Sequence, residues 1–192
     1  LLMAKALLAT YMRREKGGCM VLKMALLSSL CSLLALPSLA DEFPLAPRFT
    51  LKTVDNEVVV LDSLLGKGPI VVSFWATWCK PCAAEHDRLR KIYEELKGRG
   101  LEILAISQDG PRSVSRVKPF ATGRKLQYPI LLDPEKEVGR LYNISAIPAL
   151  FILDGEGRIR FTHRGFKPGD EVLLREEIEL SLIHISEPTR PY

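Results

Sequence analysis

The sequence is poor in the residue types that bind metals and nucleic acids. Its 192 residues include only four cysteines and three histidines, and aromatic residues make up 7%. Neither a basic stripe nor interleaved aromatic residues occur, so no nucleic-acid partner is predicted. A zinc site needs four ligands, and the chain has no second Cys-x-x-Cys and no histidine pair to supply them, so no metal is predicted. Repeats, low-complexity tracts and long linkers are also missing, which predicts a single domain with one core.

Both ends of the chain are predicted to lie outside that domain. Residues 20–40 combine Lys23, an apolar stretch and small residues, a pattern typical of a signal peptide removed after Ala40. The alternative is an uncleaved membrane anchor, although the stretch is short and serine-rich for a span of about 20 apolar residues. Residues 1–19 begin with leucine and are interpreted as an upstream extension. The mature protein is expected to be periplasmic or, with an anchor, attached to the membrane and facing the periplasm.

Residues 180–192 resemble the translation of a sequencing adapter, and we interpret them as an assembly scar that interrupts the helical pattern of residues 172–179. No role is therefore assigned to His184. The predicted domain, residues 41–179, carries 21 Lys and Arg and 21 Asp and Glu, so the excess of four positive charges belongs to the segment before Asp41. The basic character of the whole chain therefore predicts no partner for the domain.

The predicted domain retains two cysteines, Cys79 and Cys82, in the sequence Cys-Lys-Pro-Cys. The pair follows an apolar, strand-like run and opens an amphipathic helical pattern over residues 83–97. At a helix N-terminus, free N–H groups and the helix dipole lower the pKa of the Cys79 thiol and favour its thiolate, as does the charge of Lys80 between the cysteines. Cys82, one turn later, can attack a mixed disulfide and release the substrate. A redox-active disulfide is predicted, with no other cofactor; a purely structural one would stabilise little across so short a loop.

Glu85 follows Cys82 by three residues and shares its helix face with Leu89, so its carboxylate is expected to be partly buried. Burial raises the pKa of a carboxyl group toward the range in which it can exchange a proton with Cys82. The alternative is that Glu85 merely stabilises the first helical turn. His86, four residues after Cys82, could also face the site, but it is interpreted as a solvated or capping residue. His163 is expected to face solvent.

The remaining pattern alternates strands and helices and ends in an antiparallel hairpin and a helix, which predicts an α/β fold with a mixed sheet. A first hairpin is expected around the turn at residues 55–57, and a second around residues 154–157. Pro119 is expected to start, kink or break a helix over residues 114–124. The other predicted strands are 70–76, 101–107 and 130–133, and the other predicted helices are 138–142 and 172–179.

Three segments, residues 74–85, 128–133 and 144–155, resemble exported thioredoxin-fold proteins of the TlpA, ResA and DsbE (CcmG) group. The resemblance implies a thioredoxin fold, a mixed central sheet flanked by helices, with an N-terminal β-hairpin extension. It implies a cis peptide between Ile147 and Pro148, beside Cys79, and a part for Glu85 in thiol protonation. Trp78 is expected at the rim of the site, and Pro81 within its turn.

The same resemblance implies a thiol–disulfide oxidoreductase, and more specifically a reductase. Its substrates would be protein disulfides, with apocytochrome c or a copper-assembly protein as candidates, and a membrane thiol reductant would restore its dithiol. Residues 85–86 and 160–165 favour the cytochrome c maturation branch, whereas Lys80-Pro81 and the run before Pro148 are more similar to TlpA and ResA. The direction of electron flow depends on the relative stability of the two redox states, which residue types do not reveal.

Two other functions use the same thiols. Two thiolates can bind copper(I), which would make the protein a metal-binding or metallochaperone module. A peroxiredoxin-like thiol peroxidase would use Cys79 to attack a peroxide, because the predicted hairpin and strand before the motif resemble those of peroxiredoxins. The combination of Pro and Thr that this family places a few residues before its cysteine is not present as such.

Overall fold

The chain divides into two units at the Glu42–Phe43 boundary. The structure is a computed structural model that describes residues 43–186. The predicted extension and signal peptide, and the last six residues of the predicted scar, lie outside the described residues. Within residues 43–186, no helix combines the length and the apolar character needed to cross a membrane.

Seven strands form one mixed sheet in the order β2-β1-β5-β4-β3-β6-β7. The three central strands, β5, β4 and β3, are parallel, while β6 and the β1–β2 hairpin run antiparallel to their neighbours. The strands are β1 (Thr50–Thr53), β2 (Val58–Val60), β3 (Ile70–Trp75), β4 (Glu102–Ser107), β5 (Ile130–Leu132), β6 (Ala149–Leu153) and β7 (Ile159–Arg164). Both predicted hairpins and the mixed sheet are confirmed.

Within residues 43–186, four α-helices accompany the sheet: α1 (Lys80–Leu96), α2 (Val117–Gly123), α3 (Glu137–Leu141) and α4 (Asp170–Ser186). The predicted helix over residues 114–124 is instead a 3₁₀ turn, Val114–Arg116, followed by α2. Pro119 lies in the first turn of α2, where a missing N–H is tolerated. Further 3₁₀ turns occur at Leu61–Leu64 and Lys97–Arg99.

The central strands are buried on both faces, as parallel strands covered by helices require. Side chains of α1, α2 and α4 pack on one face, around Val71 and Trp75 of β3. The other face packs Ile70, Val72 and Phe74 against α3 and the segment before β1. Alternate residues of β3 therefore pack into two separate cores, which explains why the strand is apolar apart from Ser73.

The last helix differs from the prediction. Instead of being interrupted after Glu179, α4 continues to Ser186. Leu174, Ile178 and Leu182 recur at intervals of four residues and are all buried, so Leu182 extends the same packed stripe beyond Glu179. The adapter-like origin of residues 180–192 stays a prediction, but the first part of that segment is helical.

Candidate active site

The two cysteines lie where β3 ends and α1 begins. Cys79 is the N-cap of α1, and its Sγ accepts a hydrogen bond from the Cys82 N–H at 3.2 Å. The two residues form a disulfide with a Cα–Cα distance of 5.3 Å. Cys79 is 6% exposed and Cys82 is completely buried. An attacking thiol can therefore reach the disulfide only from the side of Cys79.

The turn that carries Cys79 is held by the carboxylate of Asp109, which follows the neighbouring strand β4. It accepts hydrogen bonds from the Thr77 N–H at 2.8 Å, from the Thr77 hydroxyl at 2.7 Å and from the Ser107 hydroxyl at 3.0 Å. Asp109 was not predicted from the sequence. The signal that could have found it is its position two residues after a buried strand, because parallel β3 and β4 end at the same edge of the sheet.

The residues between and before the cysteines are exposed. Lys80 and Pro81 form the first two positions of α1, where proline is tolerated because its missing N–H would have no helical partner. Trp78 is 63% exposed, while Trp75 is fully buried in the core. The site thus presents one large aromatic surface and one cation beside a nearly buried disulfide.

Glu85 is fully buried, more deeply than predicted. Its Oε1 accepts a hydrogen bond from the Ser73 hydroxyl at 2.8 Å, and its Oε2 has no hydrogen-bond partner among the described residues. Burial raises the pKa of Glu85 to about 8, although the Ser73 hydrogen bond opposes this and the charge of Asp170 adds to it. At neutral pH the carboxyl group is therefore mostly protonated in this disulfide state.

His86 corrects the sequence interpretation, because it is completely buried rather than solvated. Its Nδ1 shares a hydrogen bond of 2.8 Å with the Tyr128 hydroxyl, and its ring meets the Trp75 ring edge-on at 4.8 Å. Burial lowers the pKa of His86 to about 3, so the imidazole is neutral. Its Nε2 has no partner among the described residues. Glu85 and His86 are therefore two adjacent buried ionisable residues near the N-terminus of α1.

The predicted cis peptide is present between Ile147 and Pro148. Pro148 is buried and directly precedes β6, whose Ala149 pairs with Phe74 of β3. This register places Pro148 at the same sheet edge as the cysteine turn. The Gly165 N–H donates to the Pro148 carbonyl at 2.8 Å, which attaches the segment after β7 to the same edge. Ile147 is partly buried and packs against both cores.

His163 also differs from its prediction. Its side chain is only 17% exposed, and its Nε2 lies 3.1 Å from Oδ2 of Asp170. The contact joins β7 to the first turn of α4, seven residues further along the chain.

No group of three or more His, Cys, Asp and Glu side chains within the described part of the chain is placed to hold a metal ion. The copper(I) alternative needs only the two thiolates of Cys79 and Cys82, so it stays a prediction.

A mixed sheet with a disulfide at the head of its first long helix and a cis-proline at the same edge defines a thioredoxin-like protein. Residues 44–162 match the model of the AhpC/TSA family, and because this match covers more than half of the chain, the protein belongs to that family.

Curated relatives agree with this assignment. The chain is 40% identical over 118 residues to the thiol-disulfide oxidoreductase ResA of Oceanobacillus iheyensis, an alignment that covers 59% of this chain and 60% of the relative. It is 36% identical over 121 residues to the thioredoxin-like protein YneN of Bacillus subtilis, covering 62% and 69%. The chain thus spans about 60% of the length of that ResA.

Solved structures show the same fold. A thiol:disulfide interchange protein of the thioredoxin family from Chlorobium tepidum superposes with a TM-score of 0.65 at 25% identity, covering 74% of this chain and 98% of that one. StoA from Bacillus subtilis superposes with a TM-score of 0.56 at 25% identity, covering 69% and 96%. The predicted thioredoxin fold, its N-terminal hairpin and the family resemblance are confirmed.

Proposed function

We propose that the protein is a periplasmic thiol–disulfide oxidoreductase that acts as a reductase of protein disulfides. The observation that carries this proposal is the Cys79–Cys82 pair at the N-terminus of α1, with one cysteine accessible, the other buried and a protonatable Glu85 one turn further on. The names of the curated relatives support the same reaction class.

The proposed reaction starts from the reduced protein, with Cys79 as thiolate, Cys82 as thiol and Glu85 as carboxylate. The Cys79 thiolate attacks a substrate disulfide, a mixed disulfide forms, and the first substrate sulfur leaves as a thiolate. Cys82 then gives its proton to Glu85 and attacks the Cys79 sulfur, which releases the second substrate thiolate. The substrate is reduced by two electrons, its thiolates take protons from water, and the protein is left oxidised.

The proposed reaction ends with the Cys79–Cys82 disulfide and a protonated Glu85. The raised pKa of Glu85 beside the Cys79–Cys82 disulfide supports this proton balance. When a membrane thiol reductant opens the disulfide again, Glu85 returns the proton to Cys82 as that sulfur leaves. The apocytochrome c haem site and the cysteines of a copper-assembly protein are the proposed substrates, on the strength of the sequence resemblance alone.

The reduction potential of the Cys79–Cys82 couple tests the direction. The protein is equilibrated in defined thiol buffers, and the two thiols are trapped and counted by mass. A potential near or below that of thioredoxin, about −270 mV, supports a reductase, whereas one near −120 mV is typical of an oxidant and would contradict the proposal.

Membership of the AhpC/TSA family keeps a thiol peroxidase as the second candidate. In that reaction the Cys79 thiolate would cleave the peroxide O–O bond, form a sulfenic acid and release water or an alcohol. Cys82 would then condense with it, giving the disulfide and a second water. The rates at which hydrogen peroxide and a peptide disulfide oxidise the reduced protein discriminate between the two; a faster reaction with the peptide supports the reductase.

A further inference from the structure

The Glu85 side chain lies across the sheet from a second polar pair, His163 and Asp170. Ser73, which donates a hydrogen bond to Glu85, lies on β3 opposite Leu150 of β6, and Leu150 lies opposite His163 of β7. Side chains directly opposite each other in antiparallel strands project from the same face of a sheet. The side chains of Ser73, Leu150 and His163 therefore form one row on the face that α1 and α4 cover.

Asp170 lies at the far end of this row, as the first residue of α4. Its Oδ2 is 3.1 Å from Nε2 of His163 and accepts a hydrogen bond from the Lys167 N–H at 3.0 Å, and its side chain is only 14% exposed. The Lys167 hydrogen bond lowers the pKa of Asp170; burial opposes this, but the contacts with His163 and the exposed Lys167 ammonium lower the pKa further. At neutral pH Asp170 is therefore a carboxylate held in a defined position.

The negative charge of Asp170 acts on Glu85 through the interior of the domain. Neighbouring strands lie about 5 Å apart, so two strand spacings separate Ser73 from His163 by about 10 Å. Leu150, between them, is completely buried, and charges are screened less across apolar side chains than across water. Burial is the largest cause of the raised pKa of Glu85, the Ser73 hydrogen bond opposes it, and the charge of Asp170 adds to it.

Other ionisable groups near Glu85 differ from Asp170 in charge or in exposure. His86 is buried, and burial lowers its pKa to about 3, so it is neutral. Tyr128, which binds His86, is neutral as well, because burial raises its pKa well above its usual range. Arg88, one turn after Glu85 on α1, is charged but exposed to solvent. None of these three combines a charge with a mostly buried side chain, as Asp170 does.

From this arrangement we infer that Asp170, held in place by His163, is a positioning residue that makes Glu85 a stronger base. A fixed negative charge opposes the loss of the proton from Glu85 and so sets the pH range in which Glu85 can take a proton from Cys82. The inference rests on the proposed function only where it concerns Cys82. The effect of Asp170 on the titration of Glu85 can be measured without any substrate.

The test compares two variants that each remove one negative charge from the first turn of α4. Asp170→Asn keeps a side-chain oxygen that can accept from the Lys167 N–H. The matched control is Glu171→Gln, at the neighbouring residue, which accepts from the Gly169 N–H at 2.8 Å. Infrared difference spectroscopy follows the C=O band of protonated Glu85 against pH in the full-length protein with its disulfide intact, and Glu85→Gln identifies that band.

Asp170→Asn should lower the midpoint of this titration by about half to one pH unit, the size of effect expected from one charge about 10 Å away. Glu171→Gln should shift it clearly less. The pH profile of mixed-disulfide resolution by Cys82, measured in the reduced proteins, should move in the same direction as the midpoint. An unchanged midpoint in Asp170→Asn, or an equal shift in both variants, would overturn the inference.

Two variants of His163 test the positioning without changing Asp170. His163→Ala removes the partner of the Asp170 carboxylate and lets it turn toward water, so the Glu85 midpoint should fall. His163→Gln, whose amide can donate to Asp170, should restore the midpoint of the unmodified protein. A midpoint that does not respond to His163→Ala, or that His163→Gln fails to restore, would contradict the role of His163. If the unmodified protein reduces no peptide disulfide, the proposed function fails, whereas the infrared midpoints still decide the inference about Asp170.

Discussion

Two buried carboxylates near the same edge of the sheet have opposite surroundings. Asp133, at the end of β5, is 2% exposed and accepts four hydrogen bonds, whereas Glu85 is completely buried and accepts one. The donors to Asp133 are the Gln108 side-chain amide and the N–H groups of Glu137, Val138 and Gly139.

The number of hydrogen-bond donors to each carboxylate indicates whether that carboxylate stabilises the fold or exchanges a proton. Asp133 closes the turn into α3, because its carboxylate satisfies N–H groups that otherwise have no partner at a helix start. Glu85 leaves Oε2 without a partner, so its charged form is poorly stabilised and its proton can be exchanged. The comparison predicts that changes at Asp133 alter folding, while changes around Glu85 alter chemistry.

The largest effect is expected at the cysteines. Cys79→Ser should abolish disulfide reduction, because the nucleophile is lost, and Cys82→Ser should accumulate mixed disulfides that no second thiol resolves. Turnover of a peptide disulfide and the mass of trapped adducts measure the two effects. Circular dichroism provides the control, since both variants should remain folded. Turnover by Cys79→Ser at the rate of the unmodified protein would exclude Cys79 as the nucleophile.

Asp133→Ala should cause the largest decrease in the free energy of unfolding. It leaves buried N–H groups without an acceptor and removes the cap of α3, at a cost of about 3 kcal/mol in the free energy of unfolding. Urea denaturation measures this cost, with exposed Glu135→Ala as the matched control. The reduction potential of Cys79–Cys82 should not move; if it does, the separation drawn between the two carboxylates is wrong.

Glu85→Gln should remove a pH dependence of stability between pH 6.5 and about 8. The pKa of Glu85 is raised from 4.5 to about 8, so the folded protein holds a proton that the unfolded chain loses. The contribution of Glu85 to the stability of the oxidised protein therefore falls as the pH rises from 4.5 to about 8, and above pH 6.5 no opposing change at His86 masks it. Urea denaturation between pH 6.5 and 8 should show the decline in the unmodified protein and not in Glu85→Gln, and the rate at which reduced Cys82 resolves mixed disulfides should lose its dependence on the same titration. Retention of both pH dependences in Glu85→Gln would remove Glu85 from the proton cycle.

His86 is expected to give the pH dependence of stability a slope opposite to that from Glu85. Its substitution should have the smallest effect of these changes at neutral pH. Its pKa falls from 6.5 to about 3, so the unfolded chain binds a proton that the folded protein excludes, and stability is lost as the pH falls below 6.5. Between pH 4.5 and 6.5 the slopes of Glu85 and His86 cancel. His86→Gln should flatten the stability profile between pH 3 and 4.5, where His86 titrates without Glu85, and should expose the Glu85 decline between pH 4.5 and 6.5, as measured by urea denaturation. Tyr128→Phe, which keeps the imidazole, should retain the slope of the unmodified protein. An acid side that is as steep in His86→Gln as in the unmodified protein would contradict this account.

The sequence predicted those parts of the site that are local to one element. Cys79, Cys82 and Glu85 could be placed because helical spacing fixes which side chains share a face. The partners of these residues could not be placed, since Ser73, Asp109 and Tyr128 reach the site through strand order and register. His86 was misjudged for the same reason: it lies four residues after Cys82 and three before Leu89 on α1, but its burial depends on Trp75 and Tyr128 from other elements.

The hydrogen bonds from Thr77 to Asp109 determine which positions of this site can change during evolution. The bonds that shape the turn lie outside the ring closed by the disulfide, and the side chains of Lys80 and Pro81 make none of the described hydrogen bonds or salt bridges. The two positions between the cysteines can therefore vary without remodelling the scaffold. Mutation can adjust the electron affinity of the pair at those two positions while the architecture that presents it stays fixed, so redox character and fold can evolve independently.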